Sequence, residues 1–476
     1  MDSELKKLLA EAAQCSREDL NSSNPFAETG FDNGKKRLGW ARSNDFSSIS
    51  NLLKRLLSLV EGKENFIFIG MGGSVNGIKP LLSLFENKKI FTLDNLDPAA
   101  IKDIASHIED WSKTLVIPVS KSGTTKETQL LAHTLKEKLS SELNISVPEN
   151  NLFWLSDPPS FTKLDSLGWQ KVRKFPIQFD SEDDIGGRFS CPNTLIFALP
   201  LFLLLNKDFD SLGRIYNEFF SLRETISGLS LSQALRYKDK KDALFAPVTG
   251  SENNRSFFPW ITQLFQESLG SKLENFCVKT IPDYRESGLS SVGLQMSIED
   301  PVVLLMARMY FFQLFIAFFS ALKRINFVSQ NHVEKYKSRM RQLEEEEVNG
   351  IPSLDLDSLL NKVKAALRPE HRFIEIVLYW HAGLRTINEL SRVFGENFKD
   401  KRNLVCIGSD WNHQSYQAAF GDKYTFYVLL TASSYDSRIK GIPSAKLSEN
   451  VKTLKVISKA THLTLSDKSF LFSFSP

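Results

Sequence analysis

Short apolar stretches alternate with segments of helical periodicity in the first half of this chain. In the clearest example, an apolar and β-branched run at 114–119 stops at the polar loop 120–125, and leucines at helical spacing follow within 131–139. This pattern predicts a strand, a loop and a helix. Thr124 and Glu127 stand three residues apart, which is the capping-box pattern for the start of such a helix.

A second unit of the same kind comes earlier in the chain. An apolar run at 66–69 is a buried-strand candidate, the loop 70–74 has the sequence Gly-Met-Gly-Gly-Ser, and a helical run with leucines at 81–84 follows. Strands that alternate with helices predict a parallel sheet covered by helices on both faces. In such sheets the ligand crevice lies beyond the carboxyl ends of the strands, which is where both loops fall.

The loop after the strand at 114–119 is rich in hydrogen-bond donors. Its hydroxyl-bearing and cationic side chains are Ser120, Lys121, Ser122, Thr124 and Thr125. The N-terminus of a helix carries free N–H groups and about half a positive charge, so it is a site for anions. The alternative is an ordinary serine-rich turn that caps a helix. The density of donors favours a phosphate group.

The glycine-rich loop allows a different interpretation, a dinucleotide fingerprint, because Asp94 follows the next strand candidate at 89–93. That fingerprint requires a third glycine where this chain has Val75. A loop that ends in the hydroxyl of Ser74, paired with a second hydroxyl-rich loop, suits one terminal phosphate better than a pyrophosphate. We therefore favour a single terminal phosphate group over a dinucleotide.

Composition excludes several classes of function. A length of 476 residues predicts roughly two to four domains of ~150 residues each. The 59 basic and 56 acidic residues leave a net charge of +3, which is too small to indicate a nucleic-acid partner. The four cysteines lie far apart without a Cys-x-x-Cys pair, so they predict neither a zinc site nor a disulfide framework. They fit a reducing cytoplasm.

Nothing in the chain predicts secretion or membrane insertion. The first residues are charged throughout and lack the continuous apolar core of a secretory signal. The most apolar runs, 194–205 and 309–322, are shorter than the ~20 residues that span a bilayer. We expect both runs to be buried core helices, and we expect the protein to be cytoplasmic.

Three further residues are candidates for chemistry. Gly186 and Gly187 precede Arg188, so the backbone can turn tightly and direct a guanidinium into a cavity; the alternative is a salt bridge to a neighbouring aspartate, Asp183 or Asp184.

Glu267 falls at the edge of the apolar arc of a predicted helix, next to Trp260 on the helical wheel. A half-desolvated carboxylate is a candidate general base, although an ordinary exposed glutamate is the alternative. His413 follows a buried-strand candidate at 403–408, where crevices form, and histidine titrates near neutral pH.

Six motifs occur in order along the chain: GMGGS at 70–74, LDNLDPAAI at 93–101, SKSGTTKET at 120–128, GGRFS at 186–190, QESLGSK at 266–272 and QNHVEKYK at 330–337. Together they resemble the phosphoglucose isomerases, enzymes built from two sugar-isomerase (SIS) domains. The resemblance implies an α/β fold with two three-layer αβα sandwich domains and parallel sheets, plus a C-terminal α/β extension. The expected divisions are an N-terminal helical segment, two SIS-type domains and a C-terminal segment that supplies a histidine, at 1–50, 51–230, 231–345 and 346–476.

The resemblance also implies roles for individual residues. The residues that match substrate-binding positions are Gly73, Ser74, Ser120, Lys121, Ser122, Thr124, Thr125 and Gln330. Arg188 matches the arginine that stabilises an enediolate, and Glu267 matches the base that moves a proton between C2 and C1. Lys337 and His413 match residues that assist ring opening.

The chain departs from the usual pattern in the order of two residues. Lys337 precedes His413, whereas the histidine usually comes first, and the tail is similar to the isomerase half of fused transaldolase–phosphoglucose isomerase proteins. Ser329 stands where an aspartate is common, and His332 replaces a proline or glycine.

The implied function is the interconversion of glucose 6-phosphate and fructose 6-phosphate by ring opening and proton transfer through a cis-enediolate. The alternatives are another aldose–ketose isomerase, for instance one that also accepts mannose 6-phosphate, or a non-catalytic SIS protein that binds sugar phosphates. The resemblance implies no metal and no organic cofactor. The expected partner is a small sugar phosphate, and a homodimer is possible.

Overall fold

A computed structural model describes residues 2–42, 44–86, 89–146, 148–240, 243–248, 255–270, 278–280, 290–343, 348 and 350–474. Its strands are β1 (Phe31–Asp32), β2 (Lys35–Lys36), β3 (Asn65–Ile69), β4 (Ile90–Leu93), β5 (Thr114–Pro118), β6 (Phe153–Ser156), β7 (Arg173–Pro176), β8 (Ala243–Pro247), β9 (Val278–Thr280), β10 (Ser290–Val292), β11 (Phe373–Tyr379), β12 (Arg402–Ile407), β13 (Thr425–Ala432) and β14 (Ser469–Phe474).

The α-helices in these ranges are α1 (Asp2–Gln14), α2 (Phe26–Thr29), α3 (Phe46–Val60), α4 (Ile78–Leu82), α5 (Pro98–Ser106), α6 (Lys126–Leu143), α7 (Phe161–Leu164), α8 (Leu195–Leu204), α9 (Phe209–Tyr237), α10 (Phe258–Thr262), α11 (Pro301–Lys323), α12 (Val333–Met340), α13 (Leu356–Ala366), α14 (Leu384–Asn397), α15 (Asp410–Gln414), α16 (Tyr416–Gly421) and α17 (Ser444–Leu465). Asp165–Trp169 and Gln263–Glu267 form π-helical turns. Short 3-10 turns lie at Gly39–Ala41, Gly72–Ser74, Trp111–Lys113, Pro158–Ser160, Gly187–Phe189, Arg255–Phe257 and Ser466–Lys468.

The first sheet is parallel and contains the two strands that the sequence predicted before the glycine-rich and hydroxyl-rich loops. Its central order is β4–β3–β5, and parallel bridges from Val116 to Leu152 and from Val119 to Leu155 connect it to the pair β6–β7. The loops after β3 and β5 leave neighbouring strands at their carboxyl ends. This edge of the sheet positions the candidate site.

Both faces of this sheet are covered, as the sequence pattern predicted. Phe66 and Phe68 of β3 belong to one hydrophobic core, and Ile67 and Ile69 belong to another, because successive side chains of a strand point to opposite faces. The α/β fold with αβα layers and parallel sheets is confirmed.

The second sheet is short, with the order β10–β8–β9, and lies against the helix α11. Phe245 of β8 packs edge-on against Phe315 and Phe319, with ring centroids 5.5 and 5.6 Å apart. Most of α11 is buried in this way, and it packs along α9.

The apolar run at 309–322 lies within a longer helix, α11. This helix begins at Pro301, continues through Arg308 and has 23 residues. Its most apolar window has a mean hydropathy of 2.0, so it is, within the described part of the chain, a helix long and apolar enough to span a membrane. However, 89% of that window is buried inside the protein. The expectation of a buried core helix is therefore supported by packing, and not by length.

The C-terminal sheet is also parallel, with the order β12–β11–β13–β14. Val377 and Tyr379 of β11 belong to the same hydrophobic core as Ile67 and Ile69 of β3. The helices α6, α12 and α17 contribute to the core that joins the two sheets. The helix α15, which carries His413, follows β12 and thus lies at the carboxyl edge of this sheet.

Candidate active site

The carboxylate of Glu267 lies inside the protein among donors from distant parts of the chain. Glu267 ends the π-helical turn Gln263–Glu267 and is only 4% exposed. Its Oε1 lies 3.1 Å from a terminal nitrogen of Arg188 and accepts a hydrogen bond from Nε2 of Gln330. Its Oε2 accepts a hydrogen bond of 2.8 Å from Nε2 of Gln263. These donors hold the carboxylate in one orientation.

The helical wheel predicted a half-exposed Glu267, and this was wrong. A wheel assumes α-helical geometry, whereas the turn 263–267 has the wider i→i+5 pattern of a π-helix. In addition, Arg188 and Gln330 cover the carboxylate from other segments, which a single helix cannot reveal. The prediction that the carboxylate of Glu267 is desolvated is correct, and the residue is more buried than predicted.

Arg188 makes no salt bridge to the neighbouring aspartates that the sequence offered as an alternative partner. Its Nε donates to Oγ of Ser268 at 2.8 Å, and a terminal nitrogen donates to the carbonyl oxygen of Phe327 at 2.6 Å. Asp183 pairs instead with Lys35 at 3.1 Å, and Asp184 pairs with Arg42 at 2.8 Å. The turn Gly187–Phe189 thus presents the guanidinium of Arg188 to Glu267.

His413 pairs with a buried carboxylate from the first sheet's hydroxyl-rich unit. Nε2 of His413 lies 2.9 Å from Oε1 of Glu127. Burial disfavours the imidazolium and Lys337 repels it, but the attraction of Glu127 is stronger, so the pKa of His413 is raised from 6.5. Burial would raise the pKa of Glu127, but the positive imidazolium outweighs it, so this pKa is lowered. The pair therefore favours a charged histidine and a charged glutamate.

The predicted capping box at the start of α6 was wrong. Thr125, and not Thr124, precedes the helix, and it makes no side-chain capping hydrogen bond. The side chain of Glu127 turns to His413 instead of back to the helix start. Sequence reasoning missed this role of Glu127 because the partner lies 286 positions away. Its place in the SKSGTTKET motif was the signal that could have identified it.

Side chains of α15 fix the helix that carries His413. Nε1 of Trp411 donates to Oε2 of Glu375 at 3.0 Å. Nδ2 of Asn412 donates to Oγ1 of Thr461 at 2.7 Å, while its Oδ1 accepts from the hydroxyl of Tyr379 at 3.0 Å. These partners belong to β11 and α17, so hydrogen bonds connect the helix of His413 to two other elements.

The glycine-rich loop touches the segments that carry the glutamate, the arginine and the histidine. A Cβ atom at Gly72 would lie 2.6 Å from Nε2 of Gln263 and 3.1 Å from Cβ of His413. A Cβ atom at Gly73 would lie 2.1 Å from the carbonyl oxygen of Gly187 and 2.7 Å from the nitrogen of Arg188. At Gly73 the neighbouring atoms belong to the backbone, and Gly72 has a φ of +53° that side chains rarely adopt, so both positions favour glycine.

The hydroxyl-rich loop lies beside the glycine-rich loop, as the sheet order requires. The nitrogen of Val119 donates to the carbonyl oxygen of Ile69 at 2.7 Å. Oγ of Ser120 donates to Oγ1 of Thr125 at 3.1 Å. Ser74 ends the glycine-rich loop and is half-buried.

Ser122 and Thr124 point their hydroxyls to the outside of the same loop. Oγ1 of Thr124 donates to Oγ of Ser122 at 3.0 Å, and both residues are exposed. The loop 120–125 thus places exposed and half-buried hydroxyls ahead of α6, where the helix N-terminus adds positive potential.

Lys121 binds protein groups in this structure. Its Nζ donates to the carbonyl oxygen of Asp183 at 2.8 Å and to that of Ile185, and it lies 3.5 Å from Oδ2 of Asp157. Burial lowers the pKa of Lys121 to about 8. Since residues 183–185 lead into the turn that presents Arg188, Lys121 connects this turn to the hydroxyl-rich loop.

Lys337 lies near the histidine pair, while Gln330 lies at the glutamate. Nζ of Lys337 pairs with Glu334 at 3.0 Å on the exposed side of α12. Its charge opposes the rise in the pKa of His413 and contributes to the lowered pKa of Glu127. The structure thus brings the candidates into two neighbouring groups, one around Glu267 and one around His413. Ser271 and Lys272, which complete the QESLGSK motif, lie outside the described residues.

Two other ligand classes find no support. Asp94, the acidic residue of the dinucleotide alternative, pairs with Lys79. The described residues contain no cluster of three or more histidine, cysteine or carboxylate side chains that could hold a metal. A cavity of about 460 Å³ between 433–437 and α17 contains none of the candidate residues in its lining.

Comparison with known proteins finds a family match over part of the chain. Residues 60–217 match the family model of phosphoglucose isomerase. A glucose-6-phosphate isomerase of Prochlorococcus marinus subsp. pastoris is 30% identical over 264 residues, which cover 49% of this chain and 46% of the relative. A glucose-6-phosphate isomerase of Campylobacter jejuni is 26% identical over 255 residues, covering 51% and 58%. The chain thus spans about half the length of these relatives.

Solved structures extend the likeness in fold beyond the matched region. The glucose-6-phosphate isomerase of Chlamydia trachomatis superposes with a TM-score of 0.51 at 17% identity, covering 76% of this chain and 87% of that chain. A hypothetical protein of Thermus thermophilus gives a TM-score of 0.50 at 21% identity, covering 72% and 95%. At these identities the comparison concerns the fold alone.

Proposed function

We propose that this chain is a phosphoglucose isomerase that interconverts glucose 6-phosphate and fructose 6-phosphate, because residues 60–217 match the family model of phosphoglucose isomerase. The reaction moves hydrogen from one carbon of the sugar to the next, so it needs no external electron carrier. The proposal includes a cytoplasmic location, a possible homodimer and no metal.

The phosphate of the sugar binds at the hydroxyl-rich loop and the neighbouring glycine-rich loop. The residues proposed to contact it are Ser74, Ser120, Ser122, Thr124 and Thr125. Their hydroxyls and the backbone N–H groups at the start of α6 are suited to an anion. Fixing the phosphate at one end converts the later steps into intramolecular ones, since the sugar carbons then stay near the catalytic groups.

The second step is the opening of the sugar ring. The charged imidazole of His413 donates a proton to the ring oxygen as the bond from C1 to that oxygen breaks, and the C1 hydroxyl releases its proton to solvent. The raised pKa caused by Glu127 keeps the imidazolium proton available to higher pH than in a free histidine. Lys337, whose positive charge lies near this pair, assists the opening of the sugar ring.

The third step is proton transfer between C2 and C1. The carboxylate of Glu267 takes the proton from C2, a cis-enediolate forms, and the same carboxyl returns the proton to C1. The guanidinium of Arg188 offsets the negative charge of the enediolate. Gln330 binds the sugar hydroxyls, and its hydrogen bond to Glu267 orients the carboxylate before the sugar arrives.

The observation that carries the proposal is the position of Glu267. A buried carboxylate is expensive to maintain unless it is paired and hydrogen-bonded. Here it is paired to the arginine of the GGRFS motif and bonded to the glutamine of the QNHVEKYK motif, although these motifs lie far apart in the chain. This arrangement suits a base that works beside a developing negative charge.

A coupled assay with fructose 6-phosphate tests the proposal. We expect turnover by the wild type and a loss of roughly two to four orders of magnitude in Glu267→Gln, which keeps the shape but not the basicity. Glu142→Gln, on the surface of α6, is the control and should retain full activity. An inactive wild type refutes the proposed function. Mannose 6-phosphate, assayed in parallel, measures the breadth of substrate specificity.

A further inference from the structure

Asp410 begins the helix α15 and is almost completely buried, at 5% exposure. Its Oδ1 accepts a hydrogen bond of 2.9 Å from the backbone nitrogen of Gly72 and one of 3.3 Å from Nδ2 of Asn76. Its Oδ2 lies 3.7 Å from Nζ of Lys79 and accepts a hydrogen bond from Nε2 of Gln414. One carboxylate therefore binds the glycine-rich loop, the helix after it and the helix of His413.

This contact joins two parts of the site that follow different sheets. The turn Gly72–Ser74 follows β3 of the first sheet, whereas α15 follows β12 of the C-terminal sheet. Gly72 also lies against Gln263, the residue that donates to Glu267. The position of Gly72 thus affects the proposed phosphate-binding loop through Ser74. It also affects Glu267, the proposed base of the proton transfer, through Gln263.

We propose that Asp410 is a positioning residue that fixes the Gly72–Ser74 turn against α15, so that phosphate binding and ring opening share one geometry. The inference rests on the proposed function, and it adds a residue to which no sequence motif assigned a role. Asp410 holds the loop and the helix and does not touch the reacting atoms.

The pairing explains why an aspartate is suited to this place. A carboxylate has two oxygens and accepts hydrogen bonds only, and Asp410 faces four donors: the backbone of Gly72 and the side chains of Asn76, Lys79 and Gln414. An asparagine keeps one oxygen for Gly72 but turns a donor toward Lys79 and Gln414. An alanine leaves the buried N–H group of Gly72 without this acceptor, which is costly.

The test compares three variants with the wild type. Asp410→Ala removes both oxygens, and Asp410→Asn keeps one of them. Asp97→Asn is the matched control, because Asp97 is also buried, at 4% exposure, and also joins distant segments by accepting from the backbone nitrogens of Ala99 and His381. Thermal unfolding and the folded fraction of each variant are measured first, and all rates are expressed per folded molecule.

Two activities report on the two ends of the site. The inhibition constant for inorganic phosphate reports on the loops that hold the phosphate. The exchange between the anomers of glucose 6-phosphate, followed by NMR, reports on ring opening. Hydrogen–deuterium exchange of peptides that cover residues 70–76 reports on the N–H group of Gly72 without any need for activity.

In Asp410→Ala we expect roughly a tenfold weaker inhibition by phosphate, a slowing of anomer exchange by about tenfold or more, and faster deuterium uptake at 70–76. In Asp410→Asn we expect phosphate inhibition within about twofold of the wild type, with anomer exchange still slowed.

The charges that face His413 are Glu127 on α6, Lys337 on α12 and Asp410 itself. Removing the charge of Asp410 removes one attraction that favours the imidazolium. The Asp97→Asn control should match the wild type in all three readouts.

The inference is overturned if folded Asp410→Ala retains the phosphate inhibition and the anomer exchange of the wild type, or if its losses only follow the folded fraction. If the wild type does not turn over fructose 6-phosphate, the proposed function fails. The deuterium exchange of 70–76 still decides whether Asp410 holds the loop.

Discussion

The pair of Glu127 and His413 provides a prediction with a definite magnitude. Glu127→Gln keeps a side chain of similar size beside His413 and removes the charge that the imidazolium faces at 2.9 Å. A hydrogen bond to a charged group contributes about 1.5–3 kcal/mol. Since about 1.36 kcal/mol corresponds to a factor of ten in rate, ring opening should slow by roughly 10- to 150-fold.

The pH dependence of the same variant has a predicted sign. In the wild type, Glu127 raises the pKa of His413 against the opposing effects of burial and of Lys337. In Glu127→Gln those opposing effects remain, so the pKa falls and the proton is lost at lower pH. The alkaline limb of ring opening should therefore move to lower pH.

The assay is anomer exchange of glucose 6-phosphate by NMR, measured across pH for the wild type and for Glu127→Gln. Glu137→Gln, on the same helix α6, is the matched control and should behave as the wild type. A variant with an unchanged alkaline limb and an unchanged rate would show that His413 does not depend on Glu127, and the ring-opening assignment would be refuted.

Three further predictions follow from single contacts. Gly72→Ala should reduce turnover by at least about tenfold while the protein stays folded, because a Cβ atom there would lie 2.6 Å from Nε2 of Gln263; unchanged kinetics would contradict the close approach. Lys121→Met should destabilise the protein by about 1–3 kcal/mol in denaturant titration, since the carbonyl oxygen of Ile185 loses its Lys121 donor and that of Asp183 keeps only Arg37, and a stability equal to that of the wild type would contradict this. The interaction energy of His413 with Glu127, measured by a double-mutant cycle of unfolding, should be fully present between pH 4.5 and 6.5. It should be lost as pH rises through the raised pKa of the histidine and as pH falls through the lowered pKa of the glutamate. An interaction energy that is constant from about pH 3 to about pH 9, a range that brackets both groups, would contradict the pairing.

Local patterns predicted the units of the fold well. The strand–loop–helix units at 66–84 and 114–139 depend on hydrophobic periodicity and on polar loop residues, both of which are properties of neighbouring positions. For the same reason the hydroxyl-rich loop and the turn before Arg188 could be identified in the sequence. The parallel first sheet followed from the alternation of strands with helices.

Partners across the chain could not be predicted from local patterns. Glu127 matched a capping box by spacing, but its partner is His413, and Asp410 carried no signal because its acceptor role depends on the backbone of Gly72. Glu267 was correctly selected as a desolvated carboxylate, while the amount of burial was wrong because a π-helical turn changes the geometry that a wheel assumes.

The most direct test of the central claim follows the hydrogen on C2 itself. Glucose 6-phosphate carrying deuterium at C2 is incubated with the wild type and with Glu267→Gln, and NMR records the deuterium at C2 and C1 together with anomer exchange. The account predicts that the wild type removes deuterium from C2, and that the variant retains it there while the anomers still exchange. Loss of deuterium from C2 at the wild-type rate in Glu267→Gln would contradict it.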